Sequence, residues 1–491
     1  MNADVLLDAY EAIQPYTAVL FTVLAITAAT LTSFHVLLSR REPGAALAWI
    51  ALVWLAPLVG VIAYLALGIN RIRRRAEQLR PYHYEVHGPS VVSPVTADNL
   101  DDHLPDVHHE LQQLVPFVDG VVDGPLLPGN RIIPLLNGDQ AFPEMLDAIE
   151  AAEHHVHFAT YIFDNDDVGR RFVATLDAAH ARGVEVRVLI DAAGLRYSFP
   201  SIYGRLKRAG VPVARFLPSR LPPHIMTMNL RNHRKIMVVD GHLGFTGGLN
   251  IRAAHLLESR PTFPTRDLHF RVEGPVVTQM QEVFADDWEF ASGEKLRDGD
   301  YFPLLPPVGD TLVRGIPDGP DEHLDKLRWT LLGAITAART RIRIVTPYFI
   351  PDKTIVSSLS LAAKRGVDVE IILPELNNLP FVQWASMAHL GPLLAGGCTL
   401  HLKPPPFDHC KLVTVDDLWV LVGSANIDPR SLRLNFEFNL ECWSPPLANR
   451  LNQVIDESLD GGRVLTLEEY DARSRLLRLR DGVAALFSPY L

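Results

Sequence analysis

The chain has 491 residues, of which 48% are hydrophobic and 21% are charged, and its formal net charge is −11. This length predicts about two to four domains, and the apolar content excludes a disordered chain. The acidic balance argues against a general nucleic-acid-binding protein, because the release of counterions requires a basic surface. The three cysteines, Cys398, Cys410 and Cys442, are too few for a disulfide framework, and none lies in a metal-ligand spacing.

Two long uncharged segments near the N-terminus predict a pair of transmembrane helices. Residues 17–34 carry no charge, and the apolar stretch continues to residue 38. Residues 44–70 form a second and longer uncharged run, which includes Pro57. About 20 apolar residues are enough to cross the hydrocarbon core. Because the joint between the runs is too short for a folded domain, we predict a hairpin with both ends on one side of the membrane.

The charges around these segments predict its orientation. Asp4, Asp8 and Glu11 precede the first run, which disfavours a cleaved signal peptide followed by a buried helix. The joint carries only Arg40 and Arg41. A larger basic cluster follows the second run: Arg71, Arg73, Arg74, Arg75 and Arg80. This cluster is expected to stay in the cytoplasm, so we predict a multi-pass protein with a cytoplasmic body. The same arginines are equally suited to contacting anionic headgroups.

Two stretches of the remaining chain repeat one another. Residues 156–191 and 342–375 each read as an apolar strand, a turn, an amphipathic helix, and an Arg-Gly-Val sequence leading into a second apolar strand. Gly183 and Gly366 fit the position just after a helix end. Strands rich in Val and Ile are typical of buried parallel strands. Each copy is therefore predicted to be a βαβ-type unit, and the body an α/β protein made of two similar halves.

A second repeated pattern carries the candidate catalytic residues. His233 and Lys235 in the first copy, like His409 and Lys411 in the second, are two positions apart. The imidazole and ammonium groups of each pair lie on one face of a strand, where they can converge on an anion. An Asp and then an Asn follow each pair, at the same spacing in both copies: Asp240, Asn250, Asp416 and Asn426. A single such motif is common by chance, whereas two matched copies predict a catalytic site.

Turn-forming and small residues connect the parts of each motif. Asp240-Gly241 and Asp416-Asp417 predict turns that close a hairpin. The small residues Gly247-Gly248 and Gly423-Ser424 are expected to let the backbone approach a bound phosphate.

Each half also contains an acidic residue within an apolar strand pattern. Asp267 follows the motif of the first half, and Glu437 follows the motif of the second half at a similar distance along the chain. Burying a carboxylate without a partner would be costly. We expect each acid to hydrogen-bond to the far nitrogen of a catalytic imidazole, which fixes the tautomer and raises the basicity of the ring. An ordinary ion pair between strands is the alternative.

Together these motifs resemble the phospholipase D superfamily, with paired HxKxxxxD…GGxN and HxKxxxxD…GSxN segments. The hairpin, the sequence NLRNHRKIMVVDGHLGFTGGLNI, the TPYFIP stretch and GSANIDPRSLRLNFEFN are similar to the bacterial cardiolipin synthases. The resemblance runs from about residue 20 to the end. It implies an enzyme of the bacterial inner membrane that joins two phosphatidylglycerol molecules into cardiolipin and releases glycerol.

The resemblance also implies a fold and its boundaries. We predict duplicated phospholipase D-like domains, with mixed β-sheets flanked by helices, after an N-terminal transmembrane helical hairpin. The predicted segments are a hairpin at 1–75 with spans at about 17–38 and 45–68, a linker at 76–126, and domains at 127–300 and 301–491.

The same resemblance implies roles for the motif residues. His233 is expected to attack the phosphodiester phosphorus and form a phosphohistidine. His409 is expected to protonate the departing glycerol and then to deprotonate the incoming hydroxyl. The residues expected to bind the non-bridging oxygens are Lys235, Lys411, Asn250, Asn426 and Ser424. Asp240 and Asp416 are expected to hold the hairpin and the lysines in place. Because two lysines would take the part of Mg²⁺, we expect no metal and no other cofactor.

Three alternative functions stay open at this point. A hydrolytic phospholipase D would use water as the acceptor and release phosphatidic acid. A superfamily nuclease is disfavoured by the net charge of −11 and the hairpin. A membrane-anchored lipid-binding scaffold with inactive sites is disfavoured by the intact His and Lys residues. The expected partners are phosphatidylglycerol and the membrane, without nucleic acid or an obligatory protein; phosphatidylethanolamine is the alternative acceptor.

Overall fold

A computed structural model of the protein describes residues 3–39, 43–65, 91–105, 107–217, 230–296, 299–321 and 324–488. The chain divides into two compact units, Met1–Arg75 and Ala76–Leu491. The basic residues Arg40, Arg41, Arg71, Arg73, Arg74, Arg75 and Arg80, on which the predicted orientation depends, lie outside the described residues.

The N-terminal unit contains the helices α1 (Ala3–Leu38), α2 (Pro43–Leu55) and α3 (Pro57–Ala63). Within α1, the stretch Val19–Leu38 is long and apolar enough to cross a membrane, and α2 is apolar but shorter. The second predicted span is divided in two, because Ala56 leaves the helical conformation (φ −140°, ψ 74°) immediately before Pro57. Its predicted end, at residues 66–68, lies outside the described ranges.

Side chains of the two arms contact one another. His35 Nδ1 lies 2.6 Å from the Tyr64 hydroxyl oxygen, and Trp54 Nε1 donates to Ser33 Oγ over 3.1 Å. The Trp49 ring packs edge-on against Tyr64, with ring centroids 5.4 Å apart. Polar groups in a hydrocarbon environment require partners within the protein, and these contacts provide them. The N-terminal unit is therefore a helical hairpin.

The second unit begins with three short helices, α4 (Leu100–His103), α5 (His109–Gln112) and α6 (Leu114–Asp119). Buried leucines and valines of this segment, including Leu111, Leu114 and Val118, belong to the same apolar core as Leu331 and Ile335. Several residues between 95 and 122, in the segment predicted to be a linker and entry segment at 76–126, thus pack into the core of the folded body. The predicted domain boundaries stay a prediction.

The rest of the unit consists of two halves with matching elements. The first half contains β1 (Leu127–Leu136), α7 (Asn137–Ala151), β2 (His155–Thr160), α8 (Asp167–Ala181), β3 (Glu185–Asp191), α9 (Ile202–Arg208), β4 (Val213–Phe216), β5 (Arg231–Asn232), β6 (Ile236–Val239), β7 (Leu243–Gly247), β8 (Thr265–Arg266), β9 (Leu268–Glu273) and α10 (Val277–Ser292). The second half contains β10 (Thr311–Asp318), α11 (Lys326–Ala337), β11 (Arg341–Val345), α12 (Lys353–Lys364), β12 (Asp368–Pro374), α13 (Pro380–Gly396), β13 (Thr399–Lys403), β14 (Phe407–Asp408), β15 (Leu412–Val415), β16 (Trp419–Gly423), α14 (Pro429–Arg433), β17 (Asn435–Trp443), α15 (Pro445–Ser458), β18 (Arg463–Leu465), α16 (Leu467–Asp471) and α17 (Arg475–Ala485).

Most of these strands form one mixed sheet, in the order β18-β13-β12-β11-β15-β16-β17-β10-β1-β9-β7-β6-β2-β3-β4. Strands β1 and β10 pair antiparallel at its centre, with Leu127 opposite Val313. The order of strands is repeated on the two sides of this pair. In each half parallel strands at the outer side adjoin an antiparallel hairpin nearer the centre. The duplicated α/β fold with a mixed sheet is therefore confirmed.

Local sequence explains the ends of the repeated helices. Helix α8 begins after Asp166, whose carboxylate accepts the Gly169 N–H at 2.9 Å, and α12 begins after Asp352 in the same way. Gly183 and Gly366, just after these helices, have φ of +94° and +95°. Side chains disfavour this conformation, so glycine ends both helices, as predicted.

Two short strands cross between the halves and bring their motifs together. Strand β5 of the first half pairs in parallel with the start of β17, placing Asn232 opposite Phe436. Strand β14 of the second half pairs in parallel with β8, placing Asp408 opposite Arg266. The segment before each motif histidine therefore lies beside the segment before the other half's acidic residue.

Candidate active site

The backbone of the opposite half fixes each motif histidine. The His233 N–H donates to the carbonyl oxygen of Phe436, and the His409 N–H donates to that of Arg266, both over 2.8 Å. After each histidine the chain runs through the motif lysine directly into β6 or β15. Both imidazoles consequently lie at the junction of the two halves.

Each imidazole is hydrogen-bonded to the acid of the other half. His233 Nδ1 lies 2.9 and 3.0 Å from the two carboxylate oxygens of Glu437, and His409 Nδ1 lies 2.7 Å from Asp267 Oδ2. Both acidic side chains are fully buried. In the sequence each acid follows the histidine of its own half, so the pairing is exchanged. The exchange follows from the strand pairs β5–β17 and β14–β8.

Glu437 lies in a dense set of hydrogen-bond donors. Besides His233, the Ser424 hydroxyl donates to it over 2.6 Å and Asn435 Nδ2 donates over 3.0 Å. Burial raises the pKa of Glu437, but the charges of His233 and Lys235 and the hydrogen bonds from His233 and Ser424 outweigh burial, so its pKa lies below its usual value. An ionised Glu437 holds the proton of His233 on Nδ1 and leaves Nε2 to react. Ser424, expected to bind phosphate, instead supports this carboxylate.

Asp267 has a different environment. Burial outweighs the nearby charge of Lys411 and raises the pKa of Asp267 to about 6. Gly248 occupies the position that corresponds to Ser424, and a Cβ atom there would overlap the Asp267 carboxylate. The first half therefore combines a glycine with a shorter acid, where the second half combines a serine donor with a longer one. As a result, Asp267 retains a proton more readily than Glu437 does.

The two motif lysines are buried beside the histidines. Lys235 Nζ donates to the His233 carbonyl oxygen over 2.7 Å, and Lys411 Nζ donates to the His409 carbonyl oxygen. Burial lowers the pKa of Lys235 to about 7, although Glu437 opposes the shift, and burial also lowers the pKa of Lys411. A phosphate oxygen beside these ammonium groups would favour their charged forms.

The electrostatics of His409 place both motifs in one site. Burial lowers the pKa of His409 well below its usual value, and the charges of Lys411, Lys235 and His233 lower it further. Burial also lowers the pKa of His233. Residues of both halves thus act on the same imidazole.

The motif aspartates lie away from the histidines. Asp240 and Asp416 follow β6 and β15, so each is separated from its motif lysine by the length of a strand. Each carboxylate accepts backbone N–H groups at 2.7 to 2.9 Å. The donors are Glu153, His154 and His155 for Asp240, and Arg339, Thr340 and Arg341 for Asp416. Asp240 thus links the turn between β6 and β7 to the residues that lead into β2. Asp416 links the turn between β15 and β16 to the residues that lead into β11.

The motif asparagines also contact protein groups. Asn250 Oδ1 accepts the Ile162 N–H over 3.1 Å, and Asn426 Nδ2 donates to Ser431 Oγ over 3.2 Å. Among the described residues, Asn426 Oδ1 is buried without a hydrogen-bond partner. An amide carbonyl oxygen accepts hydrogen bonds and does not donate them, so this atom suits a hydroxyl group rather than an ionised phosphate oxygen. This differs from the expected phosphate contact.

The small residues of the motifs serve strand packing. A Cβ atom on Gly247 would lie 2.6 Å from the Leu268 carbonyl oxygen. A Cβ atom on Gly423 would overlap the carbonyl oxygen of Phe438. The close approach that glycine allows here is therefore between β7 and β9 and between β16 and β17.

Sequence reasoning missed two tyrosines that line the site. The ring of Tyr161 meets His233 edge-on with centroids 5.0 Å apart, and that of Tyr348 meets His409 edge-on at 6.1 Å. Burial raises the pKa of both phenols, so both stay neutral. Each tyrosine lies shortly after the first strand of its βαβ unit, β2 or β11, although the two are one residue out of register. The recurrence of a tyrosine in both segments is the signal that could have identified them.

Two arginines lie on the His233 side of the site. Burial lowers the pKa of the Arg430 guanidinium, and the charge of Arg231 lowers it further, while Tyr161 and Tyr197 also lie within electrostatic range. The corresponding positions of the other half are Ala254 and Phe407. These two basic positions therefore have no basic counterpart in the other half. Within the described ranges, no group of three or more His, Cys, Asp or Glu residues could hold a metal ion.

The amino-acid sequence of this chain is similar to those of known protein families and of individual relatives. A family model described as "Cardiolipin synthase, PLD-like domain" matches residues 145–288 and 331–459, and one described as "Phospholipase_D-nuclease N-terminal" matches residues 27–68. The major cardiolipin synthase ClsA of Bacillus subtilis is 31% identical over 482 residues, covering 96% of this chain and 98% of the relative. The chain belongs to the cardiolipin synthase family.

Other relatives agree with this membership. The cardiolipin synthase of Listeria innocua is 31% identical over 488 residues, covering 97% of this chain and 99% of the relative. A phosphatidylserine synthase structure from Haemophilus influenzae Rd KW20 has a TM-score of 0.59 at 13% identity, covering 77% of this chain and 100% of that chain. At this identity the likeness shows a shared fold. The resemblance to the cardiolipin synthase family inferred from the motifs is confirmed.

The exchanged pairing predicts which histidine responds to each acid. Glu437→Gln removes a negative charge beside His233, so the pKa of His233 should fall, whereas Asp267→Asn should leave it nearly unchanged. Nuclear magnetic resonance titration of histidine-labelled protein would measure both pKa values. Glu457→Gln, at a side chain that is 66% exposed, is the control. A shift of His409 instead of His233 in Glu437→Gln would contradict the exchanged pairing.

Proposed function

We propose that this protein transfers a phosphatidyl group from one phosphatidylglycerol molecule to another, giving cardiolipin and glycerol. The observation that carries the proposal is the pair of imidazole–carboxylate bonds exchanged between the halves, with both motif lysines buried beside them. Membership of the cardiolipin synthase family supports the choice of substrate, since the named relatives are cardiolipin synthases.

In the first step, Nε2 of His233 attacks the phosphorus of the first phosphatidylglycerol. A bond forms between nitrogen and phosphorus, and the bond from phosphorus to the glycerol oxygen breaks. Glu437 stabilises the positive charge that develops on the ring. His409 Nε2–H gives its proton to the departing glycerol oxygen while the proton of a protonated Asp267 passes to His409 Nδ1; Asp267 retains a proton more readily than Glu437 does.

In the second step, the hydroxyl group of a second phosphatidylglycerol enters the place that glycerol has left. His409 takes the hydroxyl proton while the oxygen attacks phosphorus, and the bond to His233 breaks. The product is cardiolipin, and both histidines return to their initial forms. Lys235 and Lys411 offset the charge on the non-bridging oxygens in both steps.

The acceptor lipid brings a second phosphate, which requires a second basic group. Arg231 and Arg430 supply it on the His233 side, since guanidinium groups bind phosphate oxygens through two donors at once. Water carries no phosphate and would gain nothing from these arginines. This arrangement favours a phosphatidylglycerol acceptor over hydrolysis.

The setting is the inner membrane, with two spans at about residues 17–38 and 45–68 and the catalytic body in the cytoplasm. The apolar stretch Val19–Leu38 and its packing against the second arm support this topology. The basic residues between 71 and 80 support the orientation through the positive-inside preference. Phosphatidylglycerol and the membrane are the proposed partners, without nucleic acid or an obligatory protein partner.

The first test uses the detergent-purified full chain with phosphatidylglycerol vesicles in the absence of added metal. We expect cardiolipin and free glycerol, resolved by mass spectrometry of the lipids. Phosphatidic acid as the only product would mean that water reaches the phosphohistidine first, and a hydrolytic phospholipase D would replace the proposed transferase. Absence of both products and of a covalent phosphoenzyme would indicate a lipid-binding scaffold.

A site shared by both halves predicts that either lysine is indispensable. Lys235→Ala and Lys411→Ala should each reduce cardiolipin formation by about 1,000-fold or more, because each removes charge stabilisation from the same transition state. Thermal unfolding would verify that the variants stay folded, and Lys364→Ala on the exposed end of α12 is the matched control. Activity retained in either buried-lysine variant would contradict a shared site.

The lowered pKa of Lys235 predicts that the pH profile of kcat/KM has a descending limb near neutral pH. The ammonium is present below pH 7 and is lost as the pH rises through about 7, so kcat/KM for the anionic lipid should fall above that value. Lys235→Arg keeps its charge in this range, so the limb should move to higher pH even where the rate is lower. Profiles of kcat/KM for both proteins test this. An unmoved limb would assign the titration to another group.

A further inference from the structure

We propose that a solvent-facing apolar surface on the second half docks onto an anionic lipid bilayer and places the active site at its surface. We name it the α13–α17 surface. Its exposed side chains are Leu376, Leu379, Phe381, Leu476, Leu479, Val483, Leu486 and Phe487. The inference rests on the proposed function, because an enzyme that joins two membrane lipids has to reach them from the bilayer.

Helix α17 presents its apolar residues outwards. Its inner face is fixed by Ala484, which belongs to one buried cluster with Ala385 of α13 and Ile350. On the opposite face, exposed leucines and a valine follow one another at helical spacing: Leu476, Leu479, Val483 and Leu486. A surface helix of a soluble protein turns its apolar stripe towards the core. An apolar stripe that faces outwards is typical of a helix that lies in a membrane interface.

Charged residues beside the stripe match an anionic surface. Arg475 and Arg478 are exposed on the same side of α17. Its acidic residue, Asp481, is buried and paired with Arg473 and Arg480, with N–O distances of 2.6 and 2.7 Å. A chain with a net charge of −11 would otherwise be repelled by phosphatidylglycerol headgroups. Helix α17 of this surface therefore combines an apolar stripe with a net positive charge.

The surface continues from α17 to α13. The Phe487 ring lies 5.7 Å from the Phe381 ring, measured between centroids, and Arg480 lies 4.6 Å above the Trp384 ring. These contacts join the end of α17 to the start of α13. The exposed residues of both helices thus form one patch rather than scattered apolar side chains.

The patch adjoins the active site. Asn378 lies between the exposed residues Leu376 and Leu379, and its Oδ1 accepts the Tyr348 hydroxyl proton over 2.8 Å. Tyr348 in turn meets His409 edge-on. One tyrosine thus separates the patch from the catalytic imidazole. A lipid whose acyl chains stay in the bilayer would need to raise only its headgroup into the site.

A second copy of the chain is the competing occupant. Two copies that met through this surface would bring Arg475 and Arg478 of each close to those of the other, and like charges at an interface are unfavourable. A bilayer that contains phosphatidylglycerol provides the opposite charge over the whole patch. The charge pattern therefore favours lipid.

The test compares two substrates with the full chain in phosphatidylcholine nanodiscs. The variant Leu476→Glu/Leu479→Glu should lose about tenfold or more of its activity on long-chain phosphatidylglycerol within the disc, a change of about 1.4 kcal/mol. It should keep its activity within about twofold on dibutyroyl phosphatidylglycerol, which dissolves as monomers and needs no docking. Leu361→Glu is the matched control, at a leucine on α12 that is 61% exposed outside the patch.

The outcomes separate docking from catalysis. Full activity of the double variant on the long-chain lipid would overturn the docking proposal. Absence of cardiolipin from both lipids with the unmodified protein would overturn the proposed function instead. Loss of both activities in the double variant alone would indicate damage to the site, and the following measurement then decides the docking proposal.

That measurement detects lipid contact directly. The three native cysteines are buried, so a fluorophore can be attached selectively at Leu479→Cys and, as the control, at the exposed Ala174→Cys of α8. Brominated phosphatidylglycerol in the disc should quench the fluorescence of the probe at position 479 and leave that of the probe at position 174 unchanged. Equal quenching of the two, or none, would overturn the proposal. A doubled mass in detergent that Leu479→Glu abolishes would identify a subunit interface and overturn it as well.

Discussion

The active site depends on two buried imidazole–carboxylate bonds that cross from one half of the body to the other. Glu437 and Asp267 are fully buried, and a buried carboxylate that loses its partner costs several kcal/mol. Neither half contains the imidazole that binds its own acid, so each imidazole–carboxylate pair needs both halves. The strand pairs β5–β17 and β14–β8 supply the backbone that makes the exchange possible. Duplication has thus produced one site rather than two.

The two halves share a fold but not a chemistry. A transfer reaction assigns different tasks to its two histidines, and identical surroundings would give them identical proton affinities. The difference arises from few atoms: the second half supports its longer acid with the Ser424 hydroxyl, whereas the first has Gly248 against a shorter acid. A pair of arginines on one side adds to the asymmetry. A few substitutions in a duplicated fold are sufficient to give the two histidines different proton affinities.

Local patterns predicted the repeated βαβ units, the glycines after their helices and the hairpin turns at Asp240 and Asp416, because neighbouring residues decide each of these features. The exchange of acids had no local signal, since it depends on very short strands that pair over long sequence distances. The hydrogen bond of Ser424 also had no local signal, and its expected phosphate contact stays a prediction. Its position in the motif suggested proximity to phosphate, but tertiary packing turned its hydroxyl to Glu437.

The long separation between partners has a consequence for synthesis. His233 and Glu437 are 204 residues apart, and His409 and Asp267 are 142 apart. Ribosomes add residues from the N-terminus, so the hairpin and the first histidine emerge long before the acid that orients this histidine. A chain that ends before residue 437 lacks the carboxylate that binds the His233 ring. The bond between His233 and Glu437 therefore forms only after most of the chain has been synthesised.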